Sequence, residues 1–388
     1  MNRESTKSLS LDAPTRKNPF FASVVERYCL NREGQGRTYH LRLDLTGSGI
    51  EYRPGDSIAV IPSSSVEAVG RMLKLLGCDG SEIVVDNRSG EEETLQRFLE
   101  KKGNLSSPTR PLLQLICDRM SKGEKRRSIE ALLADRDQFK KFIADHEVWD
   151  TLAALCELPP PFQDVCDVLT RLIPRLYSVA SSRSMVGDAV DFTVVRTAYT
   201  TSDIARRGVC THYLIDDVPQ GENVVPVYLQ PTRLFLLPED SAIPIIMVGP
   251  GTGVAPFRAF MQERMAAAAK GRHWLFFGER YAASDFFYQE EWQRYIDADM
   301  LRLDTAFSRD QNAKVYVQHR MIENAKALWH WMEQGAIFYV CGDAKYMAKD
   351  VEKAMMSIIR QEGGLGEEEA AALLREWKKE KRYLTDVY

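Results

Sequence analysis

The stretch VGPGTGVAPF, Val248 to Phe257, lies where a continuous apolar run hands over to a helical pattern, and its reading decides the fold. Upstream, AIPIIMVG is almost unbroken apolar sequence; downstream, PFRAFMQERMAAAAK has helical spacing, with Pro256 in the first turn. A buried strand followed at once by a helix is the unit of a parallel sheet. HWLFFGE and GAIFYVCG are further apolar runs and KYMAKDVEKAMMSIIRQ a further helix, so residues 237–388 are expected to form a doubly wound, parallel-sheet α/β domain. There Gly249, Gly251 and Gly253 would let the backbone approach a ligand, and the following helix would offer N–H groups and a positive dipole end to a pyrophosphate. Taken alone, the glycines serve equally as an ordinary turn. The stretch departs from G-x-G-x-x-G, and no acidic residue is expected at the end of the next strand to hold a ribose 2′-hydroxyl, which speaks against an NAD site.

Working outward, YHLRLDL alternates, with Leu41, Leu43 and Leu45 on one face, and RPGD (Arg53 to Asp56) supplies a turn. Strand-like runs return at RLYSVAS, DFTVVRTAY and NVVPVYLQ. Between the two sets the period is helical, as in VEAVGRMLKLLG, RSIEALLADRDQFKKFI and VWDTLAALCEL, broken at Pro159 to Pro161. The expected architecture is an antiparallel β-barrel from residues 19–65 and 172–236, a helical connecting insert at 66–171, the α/β domain at 237–388, and a flexible lead-in at 1–18. A length of 388 residues suits two or three such domains. A net charge of −4 provides no general basic field, so nucleic acid is not an expected partner. The only dense basic patch is KGEKRR, Lys122 to Arg127, either a solvated loop or a dock for an acidic partner. Seven cysteines without a Cys-x-x-Cys pair, and histidines without metal-ligand spacing, argue against zinc, iron–sulfur clusters and disulfides. With no spanning apolar run and no signal segment, the chain is expected to be cytoplasmic.

Three further stretches carry chemistry. In AFSRDQNAKVYVQ, Ser308, Arg309 and Lys314 can surround a dianion such as the 2′-phosphate of NADPH, and Tyr316 can stack on adenine. By itself this cluster is also readable as a solvated loop; beside the glycine loop it reads as a nucleotide site. YVCGDAKYMAKD ends another strand, making Cys341 either a buried structural thiol or a neighbour of nicotinamide. In RLYSVASS, Arg175 can neutralise a pyrophosphate, Tyr177 lie flat on a flavin ring and Ser178 donate to the flavin nitrogen that accepts hydride; Gly208 and Thr211 of RGVCTHYL can serve the same pyrophosphate.

Together RLYSVASS, GVCT, VGPGTGVAPFRAF, AFSRDQNAKVYVQ, YVCGDAKYMAKDVE and RYLTDVY resemble the reductase half of the diflavin reductase family, on the side of the NADPH-dependent sulfite reductase flavoproteins (alpha components), with cytochrome P450 reductase more distant. The match runs from about Asn18 to Tyr388. The resemblance implies an FAD-binding barrel interrupted by a helical domain, then an NADP-binding domain, as in ferredoxin–NADP reductases. By motif position, Arg175, Leu176, Tyr177, Ser178, Thr193, Val194 and Val195 would contact FAD, Tyr199 its adenine end, and Gly208, Val209, Cys210 and Thr211 its pyrophosphate. Gly251, Thr252, Gly253, Ser308, Arg309, Lys314, Val315, Tyr316, Val317, Gln318 and Asp350 would contact NADPH. Tyr388 would cover the flavin face. Ser178, Cys341 and Asp386 match the polar trio of the hydride path, Asp386 stabilising developing positive charge and Cys341 orienting the ring.

The implied function is a flavoprotein oxidoreductase that takes hydride from NADPH onto FAD and passes electrons to a separate carrier, a flavodoxin-like FMN protein or the sulfite reductase haemoprotein. The family places an FMN domain ahead of this module; only about eighteen residues precede NPF here, so no FMN site is expected in this chain, whether as a trimmed sequence or a natural short form. A free-standing NADPH:flavodoxin or ferredoxin reductase outside sulfur metabolism fits the same motifs. A redox-inert scaffold is opposed by the presence of Arg175, Tyr177, Ser178, Arg309 and Asp386 together.

Overall fold

The computed structural model describes residues 13–32, 37–156 and 158–388; the first twelve residues of the expected lead-in lie outside the described residues. The chain divides into two units. One runs to Ala59 and resumes over Leu176–Val195 and Pro219–Tyr388; the other takes Val60–Arg175 and Arg196–Val218.

The first unit contains two sheets. In the six-stranded sheet the order is Arg175–Ser178, Ser57–Val60, Asn223–Gln230, Phe20–Cys29, Thr38–Asp44, Ala189–Val195. Phe20–Cys29 pairs antiparallel with both neighbours, as does Thr38–Asp44 with Ala189–Val195. Leu41, Leu43 and Leu45 are all buried, as their alternation implies. The opposite face of the same strand is not left to water: Thr38 and His40 are buried too. In the five-stranded sheet the order is Leu301–Phe307, His273–Glu279, Ile245–Val248, Ile337–Gly342, Tyr383–Val387, with every pair parallel. Ile245–Val248 is wholly buried, because apolar cores cover both faces of its sheet. The chain first adds strands on one side of it and then on the other, so the order reverses there, and a crevice opens at the carboxyl ends.

The other unit is mostly helical. Val66–Leu76 starts where the Ser65 side chain accepts from the Ala68 N–H and stops at Gly77, which takes the left-handed conformation at φ 67°. Arg110–Arg119 starts similarly at Thr109, with a proline in its first turn. These helices bury Phe98, Leu112, Leu113, Ile116, Val148, Leu152 and Val165 in one cluster. The helical periodicity does not signal the short antiparallel pair Ile83–Val85 and Glu92–Thr94 inside this stretch. A second hairpin pairs Ala198–Thr201 with Ile204–Arg207.

Within the first unit the two sheets are joined by a buried ionic network. Asp191, fully buried, accepts from Arg42 through both oxygens (Nε–Oδ1 2.6 Å, Nη2–Oδ2 2.9 Å) and from Arg258 Nη1 at 2.8 Å. Arg258 also donates to Ala180 O (2.7 Å) and to Glu291 Oε2 (2.7 Å), and its guanidinium lies 4.7 Å from the centre of the Tyr288 ring. Burial opposes the Asp191 charge, but the donors from Arg42 and Arg258 outweigh it and hold the carboxyl below its ordinary range. The Tyr288 hydroxyl bonds to Thr193 Oγ1 (2.8 Å) and His40 Nδ1 (3.2 Å), completing the cluster.

Arg258→Met would leave Asp191 and Glu291 short of their shared cation, and urea unfolding should show a loss of about 3–5 kcal/mol; a loss below about 1 kcal/mol would show the network to be dispensable. Acid should also weaken the fold. Burial lowers His40 and His273 to about 4 from 6.5, so each stays neutral when folded and takes up a proton on unfolding near pH 6. Their contribution is complete above pH 6.5 and is lost as pH falls toward 4, by up to about 3 kcal/mol each. Urea midpoints measured from pH 7.5 down to 4.5 should fall accordingly; a flat profile would contradict the two burials.

Candidate functional site

The strand Ile245–Val248 leads through Gly249 and Pro250 into a 3-10 turn, Gly251–Val254, continued by the helix Ala255–Ala266 with Pro256 in its first turn. The glycines serve different purposes. A side-chain carbon on Gly253 would lie 2.1 Å from Cys341 O, and one on Gly249 2.5 Å from Gly253 O, so both are needed for close packing of the chain on itself. Of the three, Gly251 alone takes a left-handed φ, 59°; a side-chain carbon there would meet only Glu279 Oε1, at 3.7 Å.

A cleft of 570 Å³ opens at the carboxyl ends of the parallel strands. Of the residues expected at a dinucleotide, Gly251, Ser308, Tyr316, Val317, Gln318 and Asp350 line it; Thr252, Gly253, Arg309, Lys314 and Val315 do not. Ser308 and Arg309 are fixed by backbone hydrogen bonds, Ser308 N–H to Glu279 O (2.9 Å) and Arg309 N–H to Arg280 O (2.8 Å). Tyr316 caps the helix Val317–Glu323, its N–H donating to His319 Nδ1 at 3.0 Å. Glu279, Arg280, Asp343 and Tyr346 also line the cleft and were not singled out from the sequence. Glu279 corrects an expectation: the strand after the glycine loop, His273–Glu279, does end in an acid. Burial pushes the Glu279 carboxyl up, with the Arg280 N–H donating to it at 2.7 Å.

At the other side of the glycine loop the edge strand Tyr383–Val387 sets Asp386 opposite Cys341 in register. Asp386 Oδ2 accepts from Ser178 Oγ at 3.0 Å and from Cys341 Sγ at 3.9 Å. The fold therefore brings together three residues far apart in sequence. Burial raises the Asp386 carboxyl, partly offset by its two donors. Cys341 is fully buried, and burial followed by the adjacent Asp386 pushes its thiol well above the ordinary value, so it stays protonated. Tyr388 donates its N–H to Gly342 O (3.1 Å), and its hydroxyl meets Thr252 Oγ1 at 2.8 Å, yet the residue is 66% exposed. Leu176 is 57% exposed, Val195 is also exposed, and the Tyr177 ring tilts against Phe192. Val194 is buried, and the Thr193 hydroxyl is engaged by Tyr288.

The remaining residues expected at FAD belong to the helical unit. Arg175 is exposed, with Nη1 donating to Ile173 O at 3.3 Å. Gly208 caps the short helix Val209–His212; a side-chain carbon there would lie 2.7 Å from Thr197 Cβ. Thr211 Oγ1 donates to Gly208 O (3.2 Å) and accepts from Thr197 N–H (3.1 Å), while Cys210 is buried. Gly208 and Val209 border a 160 Å³ pocket together with Arg71, Trp149 and Arg207. Tyr199 is exposed on the Ala198–Thr201 strand. Among the described residues no group of three or more His, Cys, Asp or Glu could hold a metal, and no helix is long and apolar enough to cross a membrane.

Comparison with known proteins agrees with this geometry. The model of the FAD binding domain family matches residues 13–213, and that of the oxidoreductase NAD-binding domain matches residues 247–353. The chain is 40% identical over 376 residues to the sulfite reductase [NADPH] flavoprotein alpha-component of Bacillus subtilis, covering 96% of this chain and 62% of that protein. It is 39% identical to the protein of the same name from Aliivibrio fischeri (96% and 61%) and 39% identical to that of Shewanella oneidensis (100% and 63%). The chain thus spans less than two thirds of the length of these relatives. With more than half of its residues matched by one family model, and a second cofactor domain following, the chain belongs to the FAD binding domain family and joins that domain to an oxidoreductase NAD-binding domain.

Proposed function

We propose that the chain is an NADPH-dependent flavoprotein reductase whose electrons leave to a separate carrier, a flavodoxin-like FMN protein or a sulfite reductase haemoprotein. The observation that carries this reading is the convergence of Ser178 and Cys341 on one carboxylate oxygen of Asp386, in the strand that ends next to the exposed Tyr388. A flavin fits the residues present. Leu176 and Tyr388 expose broad apolar surface next to a hydroxyl–carboxylate pair, the chemistry wanted around a planar ring with a polar edge. Bound FAD would supply the ability to take two electrons as hydride from NADPH and release them one at a time.

Each residue then has a role on the protein side. Leu176, Tyr177, Ser178, Thr193, Val194 and Val195 would contact the flavin, as would Arg175, Tyr199 and Gly208 through Thr211. Ser178 would present its hydroxyl oxygen at the reacting edge while its O–H donates to Asp386 Oδ2. Asp386, its carboxyl raised by burial and held by two donors, would answer positive charge on nicotinamide. Cys341 stays a neutral donor that fixes the Asp386 carboxylate. Tyr388 would cover the nicotinamide place; apart from its backbone bonds it has one hydroxyl contact, to Thr252, so its ring could move at small cost. Ser308, Arg309, Lys314, Val315, Tyr316, Val317, Gln318 and Asp350 would take the adenosine end, and Gly251, Thr252 and Gly253 the pyrophosphate.

The decisive test is anaerobic stopped-flow mixing of the flavin-loaded protein with NADPH, followed by each carrier in turn. Flavin bleaching and then reoxidation by one carrier is the expected result, and absence of bleaching would remove the reductase reading. Ser178→Ala should slow the bleaching step at least about tenfold, the effect of one lost hydrogen bond in the transition state, while NADP⁺ affinity changes little; an unaltered rate would take Ser178 off the hydride path. Tyr388→Ala should open the nicotinamide place and raise kcat/KM for NADH relative to NADPH, again by about tenfold or more, and an unaltered ratio would exclude Tyr388 as the cover.

A further inference from the structure

Arg206 is a charged side chain, only 2% exposed, that none of the roles above uses. It lies on Ile204–Arg207, the strand that leads to the Gly208 cap, and in the hairpin register it stands directly opposite Tyr199. Residues opposed in this way project from the same face of the pair, so Arg206 is the cross-strand neighbour of the Tyr199 side chain.

The partners of its guanidinium lie on two elements. Nε donates to Thr201 Oγ1 at 2.9 Å on the companion strand, and Nη2 donates to Asp145 O at 3.1 Å and to Asp150 Oδ2. Nη1 stands 3.3 Å from Glu147 Oε2. The Trp149 Nε1 donates to that same Glu147 oxygen at 2.8 Å, and the guanidinium lies 5.7 Å from the centre of the Trp149 ring. Glu147 and Asp150 are the capping pair of the helix Val148–Leu155, with the Glu147 N–H donating to Asp150 Oδ1 at 2.7 Å. One buried cation therefore pins the hairpin to the start of a helix. The Thr201 hydroxyl adds a second tie, donating to Asp145 O at 2.9 Å.

This clamp leaves two surfaces open. Tyr199 is 46% exposed, and Trp149 borders the 160 Å³ pocket that Gly208 and Val209 also line. Burial and the Glu147 carboxylate raise the Tyr199 phenol while Arg206 lowers it, so Tyr199 stands in the field of the cluster. A hairpin with four residues a side has little stability of its own, and the direction of the Tyr199 ring is set by what holds its neighbour.

We propose that Arg206 is a positioning residue for the adenosine half of FAD: it fixes the hairpin so that Tyr199 presents an immobilised face to adenine, and thereby makes the chain select FAD over FMN, which lacks that half. The inference rests on the reading of Tyr199 as the adenine contact of bound FAD.

Fluorescence titration of the flavin-free full chain with FAD and with FMN tests it. The unmodified chain should bind FAD at least about a hundredfold more tightly than FMN. Arg206→Met should weaken FAD about tenfold or more, the worth of one base–aromatic stack, and leave FMN almost unchanged. Arg206→Lys should recover only part of the loss, because an ammonium cannot meet acceptors spread around a planar fork. Arg206→Met also strips the cation from the Glu147 and Asp150 carboxylates. Thr201→Val removes the two hydroxyl bonds and no charge, and decides the matter should the methionine variant not fold. It should weaken FAD about threefold to tenfold, with FMN again unaltered. Equal losses for the two flavins, no loss of FAD in Thr201→Val, or FMN bound as tightly as FAD by the unmodified chain would overturn the role of Arg206 and leave the reductase reading standing. Failure of the unmodified chain to bind FAD would instead overturn the flavin reading and this inference with it.

Discussion

The guanidinium of Arg258 holds the first unit to a single arrangement. It stands on the helix that begins at the glycine loop and reaches across to Asp191 and Ala180 of the antiparallel sheet, with Glu291 on its far side. A buried cation with three oxygen partners has few alternative positions, because any displacement strands at least one carboxylate away from water. Ser182 reinforces the same junction, its N–H donating to Gln262 Oε1 of that helix at 2.9 Å. Strand ends and glycine loop are thereby held at a fixed distance from Ser178. Its hydroxyl meets Asp386, more than two hundred residues later in sequence, across this junction.

The two ends of the dinucleotide region differ in character. Around Asp386 the polar groups answer one another closely: a hydroxyl and a thiol donate to one carboxylate oxygen, with Cys341 fully buried and Ser178 and Asp386 half-buried. Around Glu279 the groups are aimed outward into a cleft of 570 Å³ and remain available to a ligand. Chemistry that must exclude water thus belongs at the first place, and recognition at the second.

The parallel sheet was legible from Ile245–Val248, His273–Glu279 and Ile337–Gly342 because strands buried on both faces are apolar throughout. The edge strands Leu301–Phe307 and Tyr383–Val387 were harder to read, since a partly exposed strand mixes Arg302, Asp304 and Asp386 with its apolar residues. The hairpin Ile83–Val85 with Glu92–Thr94 carries only three residues a side, too few to establish a period against the helices around it. Ser178, Cys341 and Asp386 of the proposed hydride path were legible from motif resemblance, and their convergence needed the register between the last two parallel strands. Glu279 was missed although it stands in the quoted run HWLFFGE. The apolar pattern locates a strand but not its last residue, and at a strand's carboxyl end one position decides whether a side chain belongs to the sheet or to the crevice.

The burial of Cys341 has a consequence for the durability of such a site. A thiol held protonated reacts slowly with electrophiles and peroxides, since the thiolate is the reactive species. Placed under the strand ends without solvent exposure, Cys341 can lie beside redox chemistry without being consumed by it. Cys29, exposed on the antiparallel sheet, is the thiol that oxidants and alkylating agents reach first. Chemical ageing of the protein should therefore begin on its surface, with the sulfur at its centre among the last to be altered.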